Sequence, residues 1–249
     1  MTGPRGDTRP SFAALAAAWG VHFFTASGAL LGLLAVAAAT RGDALASFWW
    51  MAATVAVDSV DGFLARRLRV KKVLPGVDGA LLDNIVDFFT YTVVPAWFLL
   101  QVPLLPAGGA WPAVAAILYA SAYQFSRSDA KTDDHTFSGS PSSCHIVVFY
   151  LYMTGTPPAL NLAVILVCCF ASFLPLRCLY PSRTQPLRPL TVALGLLWAA
   201  CLLAVMLLYP GGHHHPFLAA SWVYIAYYCA FSGWLTARGW RRGAQTPGP

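Results

Sequence analysis

The sequence predicts an all-α polytopic membrane protein with about eight transmembrane helices. Its 249 residues are 57% hydrophobic and only 10% charged, whereas a soluble domain carries about 25% charged residues. So few charges could not cover a soluble surface, and so apolar a chain is not expected to be disordered. Apolar segments of about 20 residues, the length that crosses a bilayer as a helix, recur along the chain.

Eight apolar segments are predicted to span the membrane, at residues 21–40, 44–64, 79–102, 111–126, 137–154, 157–180, 190–209 and 217–236. The first has no charged side chain, and the second and third each carry two Asp near one end. The fourth and fifth are the weakest, because they are short or interrupted by polar residues. Gly and Pro residues in the intervening loops separate most of the segments, including the last three.

The distribution of Lys and Arg sets the expected orientation. With the N-terminus inside, fifteen of the sixteen Lys and Arg residues face the cytosol and only Arg41 lies outside, as the positive-inside rule requires. Both termini are then cytosolic. We expect residues 1–20 to be a cytosolic segment with an interfacial helix at 12–19, residues 21–238 to be a single transmembrane domain, and residues 239–249 to be a cytosolic tail. The net charge of +6 is attributed to loops that face anionic lipid, so no nucleic-acid partner is expected.

All ten acidic residues are Asp, and four of them are predicted to meet at the cytosolic ends of two neighbouring spans. Asp58 and Asp61 lie near the end of the second span, and Asp83 and Asp87 lie near the start of the third. Spacings of three and four place each pair on one helix face, about 4.5 to 6 Å apart along the axis. Because the two spans run antiparallel, we expect Asp61 to be level with Asp83 and Asp58 with Asp87.

Four carboxylates at one depth predict a site for divalent cations. Like charges repel one another and their desolvation adds to the cost, and oxygen ligands suit Mg²⁺ or Mn²⁺. As an alternative, an individual Asp could cap a helix or pair with Arg66 or Lys72. Gly62 and Gly79 would let a ligand approach the backbone, although helix packing also explains them. Arg66 could bind a phosphate, and two metals beside an Arg favour phosphoryl transfer.

The segment from Asp58 to Asp87 resembles the signature of the CDP-alcohol phosphotransferase family, D-x-x-D-G-x-x-A-R followed by G-x-x-x-D-x-x-x-D. Every fixed position is matched, by Asp58, Asp61, Gly62, Ala65, Arg66, Gly79, Asp83 and Asp87. The long stretch between Arg66 and Gly79 is similar to that of the bacterial phosphatidylcholine synthase branch. So are VHFFTASG at 21–28, LDNIVDFFTY at 82–91 and FLPLRCLYPSR at 173–183.

This resemblance implies a CDP-alcohol phosphotransferase-like helix bundle in the bacterial inner membrane, usually a homodimer, with a cytosolic active site. It implies that CDP-diacylglycerol and choline give phosphatidylcholine and CMP, with two Mn²⁺ or Mg²⁺ ions per subunit. The metal ligands would be Asp58, Asp61, Asp83 and Asp87, and Asp83 and Asp87 would be catalytic, Asp87 as the general base. The nucleotide contacts would be Asp61, Gly62, Ala65, Arg66 and Gly79.

Several further residues are candidates for substrate contacts. Thr25, near the cytosolic end of the first span, could face the nucleotide, or its hydroxyl could bond to its own helix. A quaternary ammonium is best held by aromatic faces, and the rings at a suitable depth are Tyr91, Phe88, Tyr123 and Trp50. Each of these rings could instead serve packing or the interfacial belt. In the fourth loop, Asp129, Asp133 and Asp134 could supply an anion for choline, and Arg127 and Lys131 could bind a sugar phosphate or a lipid phosphate. His145 could line the active cavity or serve packing, and the sequence assigns no role to Arg177 or Arg183.

Two alternatives to this reading stay open at the level of sequence. The same transfer could use another alcohol, such as serine, inositol or glycerol phosphate. The acids could also line a divalent-cation transporter, although a transporter site is expected near the bilayer midplane. The predicted acids lie at the cytosolic edge, beside an Arg and glycines suited to a nucleotide.

Overall fold

The computed structural model describes residues 10–127, 136–139, 143–179 and 187–243, and this part of the chain is almost entirely helical. The helices are α1 (Phe12–Thr40), α2 (Ala44–Arg67), α3 (Val70–Val73), α4 (Gly79–Phe88), a π-helical turn (Phe89–Val93), α5 (Val94–Gln101), α6 (Ala110–Ser126), α7 (Cys144–Thr154), α8 (Pro158–Ala171), α9 (Arg188–Leu208) and α10 (His215–Gly243). Two short strands are β1 (Thr136–Ser138) and β2 (Arg177–Leu179). The predicted all-α class is confirmed.

The apolar helices suit a polytopic membrane bundle. Within the described residues, α1 and α9 are each long and apolar enough to cross a bilayer, and α7 and α8 are shorter apolar helices. α9 exposes large apolar side chains such as Leu196 and Leu207, which are 68% and 70% exposed. Contiguous exposed apolar surface of this kind suits contact with lipid. The number of eight spans stays a prediction.

Three boundaries differ from the prediction. Residues 12–19 are continuous with the first span in α1, and they do not form a separate interfacial helix. The fifth segment becomes helical only at Cys144, and the sixth ends at Ala171. The parts of these two segments that are not helical include β1 and β2, which pair antiparallel with Phe137 opposite Cys178. Pro175 cannot continue the sixth helix, and Gly139 turns the chain after β1 at a positive φ of 85°.

A tightly packed apolar core lies toward the N-terminal end of α2. The ring of Phe48 contacts that of Phe98 on α5 and that of Phe149 on α7, with centroids 4.8 and 5.1 Å apart. Ser47, one residue before Phe48, donates a hydrogen bond to the carbonyl of Ala35 at 2.9 Å, which fixes the α1–α2 hairpin. Ten residues separate Phe48 from Asp58, a rise of about 15 Å along the helix. The carboxylates therefore lie at the opposite end of the bundle from this core.

The helical segment from Gly79 to Gln101 widens into a π-helical turn at Phe89–Val93. Pro95 explains its position, because a proline ring has no N–H to donate and clashes with the carbonyl four residues earlier, here that of Tyr91. The N–H of Val94 instead bonds to the carbonyl of Phe89, five residues back. π-helical turns are rare and occur frequently at functional sites.

Candidate metal and nucleotide site

Three of the four predicted carboxylates converge. Asp58 on α2 and Asp83 and Asp87 on α4 each offer an oxygen, and these oxygens all lie within 4.8 Å of one another. Asp83 and Asp87 are one helical turn apart, so both can face α2 from the same side of α4. All three side chains are partly buried. The spacing argument therefore identified a real cluster of acids.

Asp61 is not part of this group, although it lies one turn from Asp58 on α2. Its residue is only 5% exposed, and the described part of the chain provides no hydrogen bond or ion pair to its carboxylate. Burying an unpaired carboxylate is costly. A bound cation or a polar ligand near Asp61 would remove that cost.

The donor set fits a hard divalent cation. Opposite ligands of an octahedral Mg²⁺, with bonds of about 2.1 Å, are about 4.2 Å apart. The oxygens of Asp58, Asp83 and Asp87 already lie within 4.8 Å of one another, so small side-chain movements would let all three reach one ion. Carboxylates are the oxygen ligands that Mg²⁺ and Mn²⁺ favour. This cluster could therefore bind a metal ion.

Tyr91 connects the acidic cluster to α7. Its hydroxyl donates a hydrogen bond to Oδ2 of Asp58 at 2.8 Å, and its ring stacks on that of His145 with centroids 4.4 Å apart and planes at 24°. The bond to Asp58 was not predicted. The spacing of four from Asp83 to Asp87 and again to Tyr91 is the signal in the sequence that could have revealed it.

One face of α1 packs along α4 and positions Thr25. A Cβ added to Gly79 would lie 3.1 Å from Cε1 of His22, and one added to Gly28 would lie 2.8 Å from Cγ1 of Val86. Both residue numbers rise from the first contact to the second, so α1 and α4 run in the same direction. Thr25 lies between the two contacts on α1, about level with Asp83 on α4. Thr25 is 7% exposed, and among the hydrogen bonds of the described residues none joins its hydroxyl to α1.

His22 is a residue of this wall that the sequence prediction missed. It is 7% exposed, and its buried Nε2 has no hydrogen-bond partner within the described parts of the chain. Its ring occupies the space that a side chain at Gly79 would take. Its spacing of three from Thr25, on the same helix face, is the signal that could have drawn attention to it.

Gly62, Ala65 and Arg66 lie around the C-terminal end of α2. A Cβ added to Gly62 would lie 3.2 Å from Nη1 of Arg66, so the guanidinium folds back over Gly62. Ala65 packs against a small apolar cluster formed by Ala18, Val21 and Val70. Gly62 therefore leaves room for the charged group of Arg66, and the cluster anchors α1 and α3 next to it.

The four predicted choline contacts are distributed over several places. Phe88 and Tyr91 belong to the helical segment that carries Asp83 and Asp87, and Phe88 meets Phe125 edge to face at 5.8 Å. Tyr123, about 200° around α6 from Phe125, stacks on Phe173 at 4.9 Å. Trp50 packs against the apolar core, eight residues and about 12 Å along α2 from Asp58.

The remaining polar candidates lie in or near the loops that contain β1 and β2. Arg127 caps the C-terminal end of α6, 5.7 Å from the centre of the Tyr123 ring, and Arg177 begins β2. Lys131 and Arg183 lie outside the described residues, as do the three Asp of the fourth loop, Asp129, Asp133 and Asp134.

Several known proteins resemble the chain, and they share one name. The phosphatidylcholine synthase of Legionella pneumophila subsp. pneumophila is 48% identical over 168 residues, which are 67% of this chain and 66% of that protein. The phosphatidylcholine synthase of Rhizobium johnstonii is 40% identical over 185 residues, covering 74% of this chain and 76% of the relative.

The resemblance extends beyond the signature segment. The phosphatidylcholine synthase of Pseudomonas aeruginosa is 34% identical over 226 residues, covering 90% of this chain and 94% of that protein. No protein-family model matches the chain. The chain is 34% identical to the Pseudomonas protein and covers 94% of it, and it is 40% identical to the Rhizobium protein and covers 76% of it. The chain therefore belongs to the phosphatidylcholine synthase family.

Proposed function

We propose that this protein is an integral membrane phosphatidyltransferase that forms phosphatidylcholine and CMP from CDP-diacylglycerol and choline. One observation carries the proposal. In a chain of the phosphatidylcholine synthase family, the carboxylates of Asp58, Asp83 and Asp87 converge within 4.8 Å, and a buried Asp61 lies one turn away. A membrane bundle with such a cluster at one end suits a reaction between a lipid and a water-soluble alcohol.

Asp58, Asp61, Asp83 and Asp87 would together hold two Mn²⁺ or Mg²⁺ ions per subunit. Bound ions of this kind would supply positive charge to offset the negative charge of the diphosphate and of the departing phosphate. Asp61, a buried residue whose carboxylate has no hydrogen-bond partner within the described residues, supports a second position beside the converging three. It would also approach the nucleotide, because it is next to Gly62.

The CDP group would lie between α1, the end of α2 and the start of α4. The hydroxyl of Thr25, which has no hydrogen-bond partner within the described residues, would face this space from α1, and Gly62, Ala65 and Gly79 would present no bulky side chains to it. The guanidinium of Arg66, folded over Gly62, offers planar donors that match a phosphate group. The diacylglycerol tails would stay in the bilayer.

The reaction exchanges a phosphoanhydride bond for a phosphoester bond. The choline hydroxyl oxygen attacks the phosphorus that carries the lipid, the new P–O bond forms, and the bond from this phosphorus to CMP breaks. CMP leaves with the bonding electron pair as a phosphate anion. The hydroxyl proton passes to the carboxylate of Asp87, which acts as the general base. Asp83, one helical turn away, is the second predicted catalytic residue and a metal ligand.

The trimethylammonium group of choline would bind against aromatic faces close to the carboxylates. Phe88 and Tyr91 are the predicted rings on the segment that carries Asp83 and Asp87. The positions of Tyr123, stacked on Phe173, and of Trp50, packed on the core, favour a structural role for those two rings.

We also propose the arrangement of the protein in the bacterial inner membrane. The fifteen Lys and Arg residues of the predicted inner loops and termini support a cytosolic active site with both termini inside. β1 precedes α7, β2 follows α8, and the two strands pair with each other, which supports a position on the same side of the membrane for the neighbouring fourth and sixth loops. A homodimer is the expected assembly.

A direct assay tests the activity. The purified protein in detergent is supplied with CDP-diacylglycerol, Mn²⁺ and one alcohol at a time, and CMP release is measured. Release with choline and with no other alcohol is expected. Release only with serine, inositol or glycerol phosphate would identify that alcohol, and not choline, as the acceptor. A folded sample that releases no CMP with any alcohol would overturn the enzyme assignment and leave the transporter alternative.

A matched pair of variants tests the role of the carboxylates. Asp83→Asn should abolish CMP release without unfolding the protein, because it removes a charge from the cluster but keeps the side-chain shape. Asp43→Asn makes the same change at the other end of the bundle, where Asp43 caps α2 by accepting from the N–H of Ala46 at 2.9 Å. Asn also caps helices well, so this control should keep normal turnover. Near-normal activity of Asp83→Asn would remove Asp83 from the site.

A further inference from the structure

We infer that Tyr91 is a positioning residue for the metal centre, holding Asp58 with its hydroxyl while His145 fixes the plane of its ring. The inference rests on the proposed function, because it requires that the converging carboxylates bind a metal ion. It assigns separate tasks to the two parts of Tyr91, with the hydroxyl bonded to Asp58 and the ring stacked on His145.

The contact between Tyr91 and Asp58 has the geometry of a regular hydrogen bond to a carboxylate. The hydroxyl donates to Oδ2 of Asp58 at 2.8 Å, the usual length of an O–H···O bond. This bond restrains the rotation of the Asp58 carboxylate, an oxygen of which lies within 4.8 Å of oxygens of Asp83 and Asp87. Tyr91 also lies within electrostatic range of those two carboxylates.

The backbone places Tyr91 at the middle of the π-helical turn. The turn runs from Phe89 to Val93 and is closed by the bond from the N–H of Val94 to the carbonyl of Phe89. Pro95 favours this widening because its ring excludes the α-helical position of the Tyr91 carbonyl. The irregular turn and the bond to Asp58 are independent observations on the same residue, and both indicate a functional role.

His145 restrains the Tyr91 ring by aromatic stacking and not by a hydrogen bond. The two rings stack at 4.4 Å, and the buried Nδ1 of His145 has no hydrogen-bond partner within the described residues. α7 contacts the π-helical turn in this region. A phenylalanine at position 145 would therefore keep the stacking contact, whereas an alanine would remove it.

The expected effect is on metal affinity. Hydrogen bonds to ligating carboxylates orient them, and losing such a partner costs about 10 to 100-fold in metal affinity. Tyr91→Phe should therefore weaken Mn²⁺ binding by about tenfold or more, while its ring is retained. His145→Ala should weaken binding in the same direction, and His145→Phe should restore it to nearly the wild-type value.

The experiment measures Mn²⁺ binding to the purified full chain in detergent by electron paramagnetic resonance, without substrate. Tyr123→Phe is the matched control, since Tyr123 stacks on Phe173 and has no bond to the acidic cluster among the described residues. Size-exclusion profiles and melting temperatures establish that each variant is folded. If His145→Ala fails to fold, the Tyr91→Phe and Tyr123→Phe pair still decides the question.

The outcomes separate this inference from the proposed function. Weaker Mn²⁺ binding by Tyr91→Phe, with Tyr123→Phe at the wild-type value, supports the positioning role. Equal affinities of the wild type and Tyr91→Phe overturn it and leave the proposed function intact. A folded wild type that binds no Mn²⁺ overturns both the positioning role and the metal assignment.

Discussion

Replacing Gly28 by Ala tests whether α1 sets the position of the carboxylates on α4. A Cβ at Gly28 would lie 2.8 Å from Cγ1 of Val86. Carbon atoms in contact are normally about 3.5–4.0 Å apart, so the overlap is about 0.7–1.2 Å. Val86 is β-branched and has one strongly preferred rotamer in a helix. We therefore expect α4 to move away from α1, carrying Asp83 and Asp87 with it.

The size of the effect follows from a comparison with Gly20 on the same helix. Gly20 is exposed, and no atom of the described residues would lie within 4 Å of a Cβ there. Ala is favoured over Gly inside a helix by about 1 kcal/mol, and this gain is common to both variants. Overpacking costs about 1–3 kcal/mol. The free energy of unfolding of Gly28→Ala should be lower than that of Gly20→Ala by this amount.

The two variants are compared by chemical unfolding in detergent, followed by tryptophan fluorescence, and by CMP release. A misplacement of about 1 Å at a reacting group costs about 100-fold in rate, so Gly28→Ala should lose about 10 to 100-fold in turnover. Gly20→Ala should keep wild-type turnover. If the two variants have equal unfolding free energies and equal turnover, the reasoning about the α1–α4 contact is refuted.

Two more substitutions test two different features of the site, the room that Gly62 leaves for Arg66 and the backbone geometry that Pro95 imposes. Gly62→Ala should not lower stability, because Ala is favoured over Gly inside a helix and the neighbouring Nη1 of Arg66 ends a flexible side chain that can move. It should raise the KM for CDP-diacylglycerol, and an unchanged KM would remove Arg66 from the nucleotide site. Pro95→Ala restores an N–H that can bond to the carbonyl of Tyr91, so the π-helical turn should revert to an α-helix and Mn²⁺ binding should weaken. Unaltered Mn²⁺ affinity in that variant would contradict the role given to the turn.

The helix positions could be predicted from the sequence because span length and loop charge are strong signals. α9 was predicted as 190–209 and runs from Arg188 to Leu208. The strands could not be predicted in this way. Three-residue strands in apolar surroundings are too short to show an alternating pattern, so the apolar pattern assigns the residues of β2 to the end of a helix. Pro175 was the local signal against that assignment.

The cluster of Asp58, Asp83 and Asp87 was predictable because spacings of three and four fix a helix face without any tertiary information. The separate environment of Asp61 was not, since it depends on how α2 is rotated against its neighbours. The contacts of His22 and Tyr91 join different helices, and a single sequence contains no direct measure of the distance between two helices. Spacing could only indicate that each shares a face with a predicted site residue.

The position of α1 explains why the acids converge without α2 and α4 packing tightly together. α1 packs along α2 through the hairpin and along α4 through Gly28, whereas α2 and α4 make few backbone contacts with each other. The carboxylates of Asp58 and Asp87 therefore face each other across a gap whose width depends on a third helix. Direct packing of α2 on α4 would fill that gap with side chains and leave no room for an ion. The small and polar residues of α1 thus contribute to the site by fixing a separation, even where they contact no substrate.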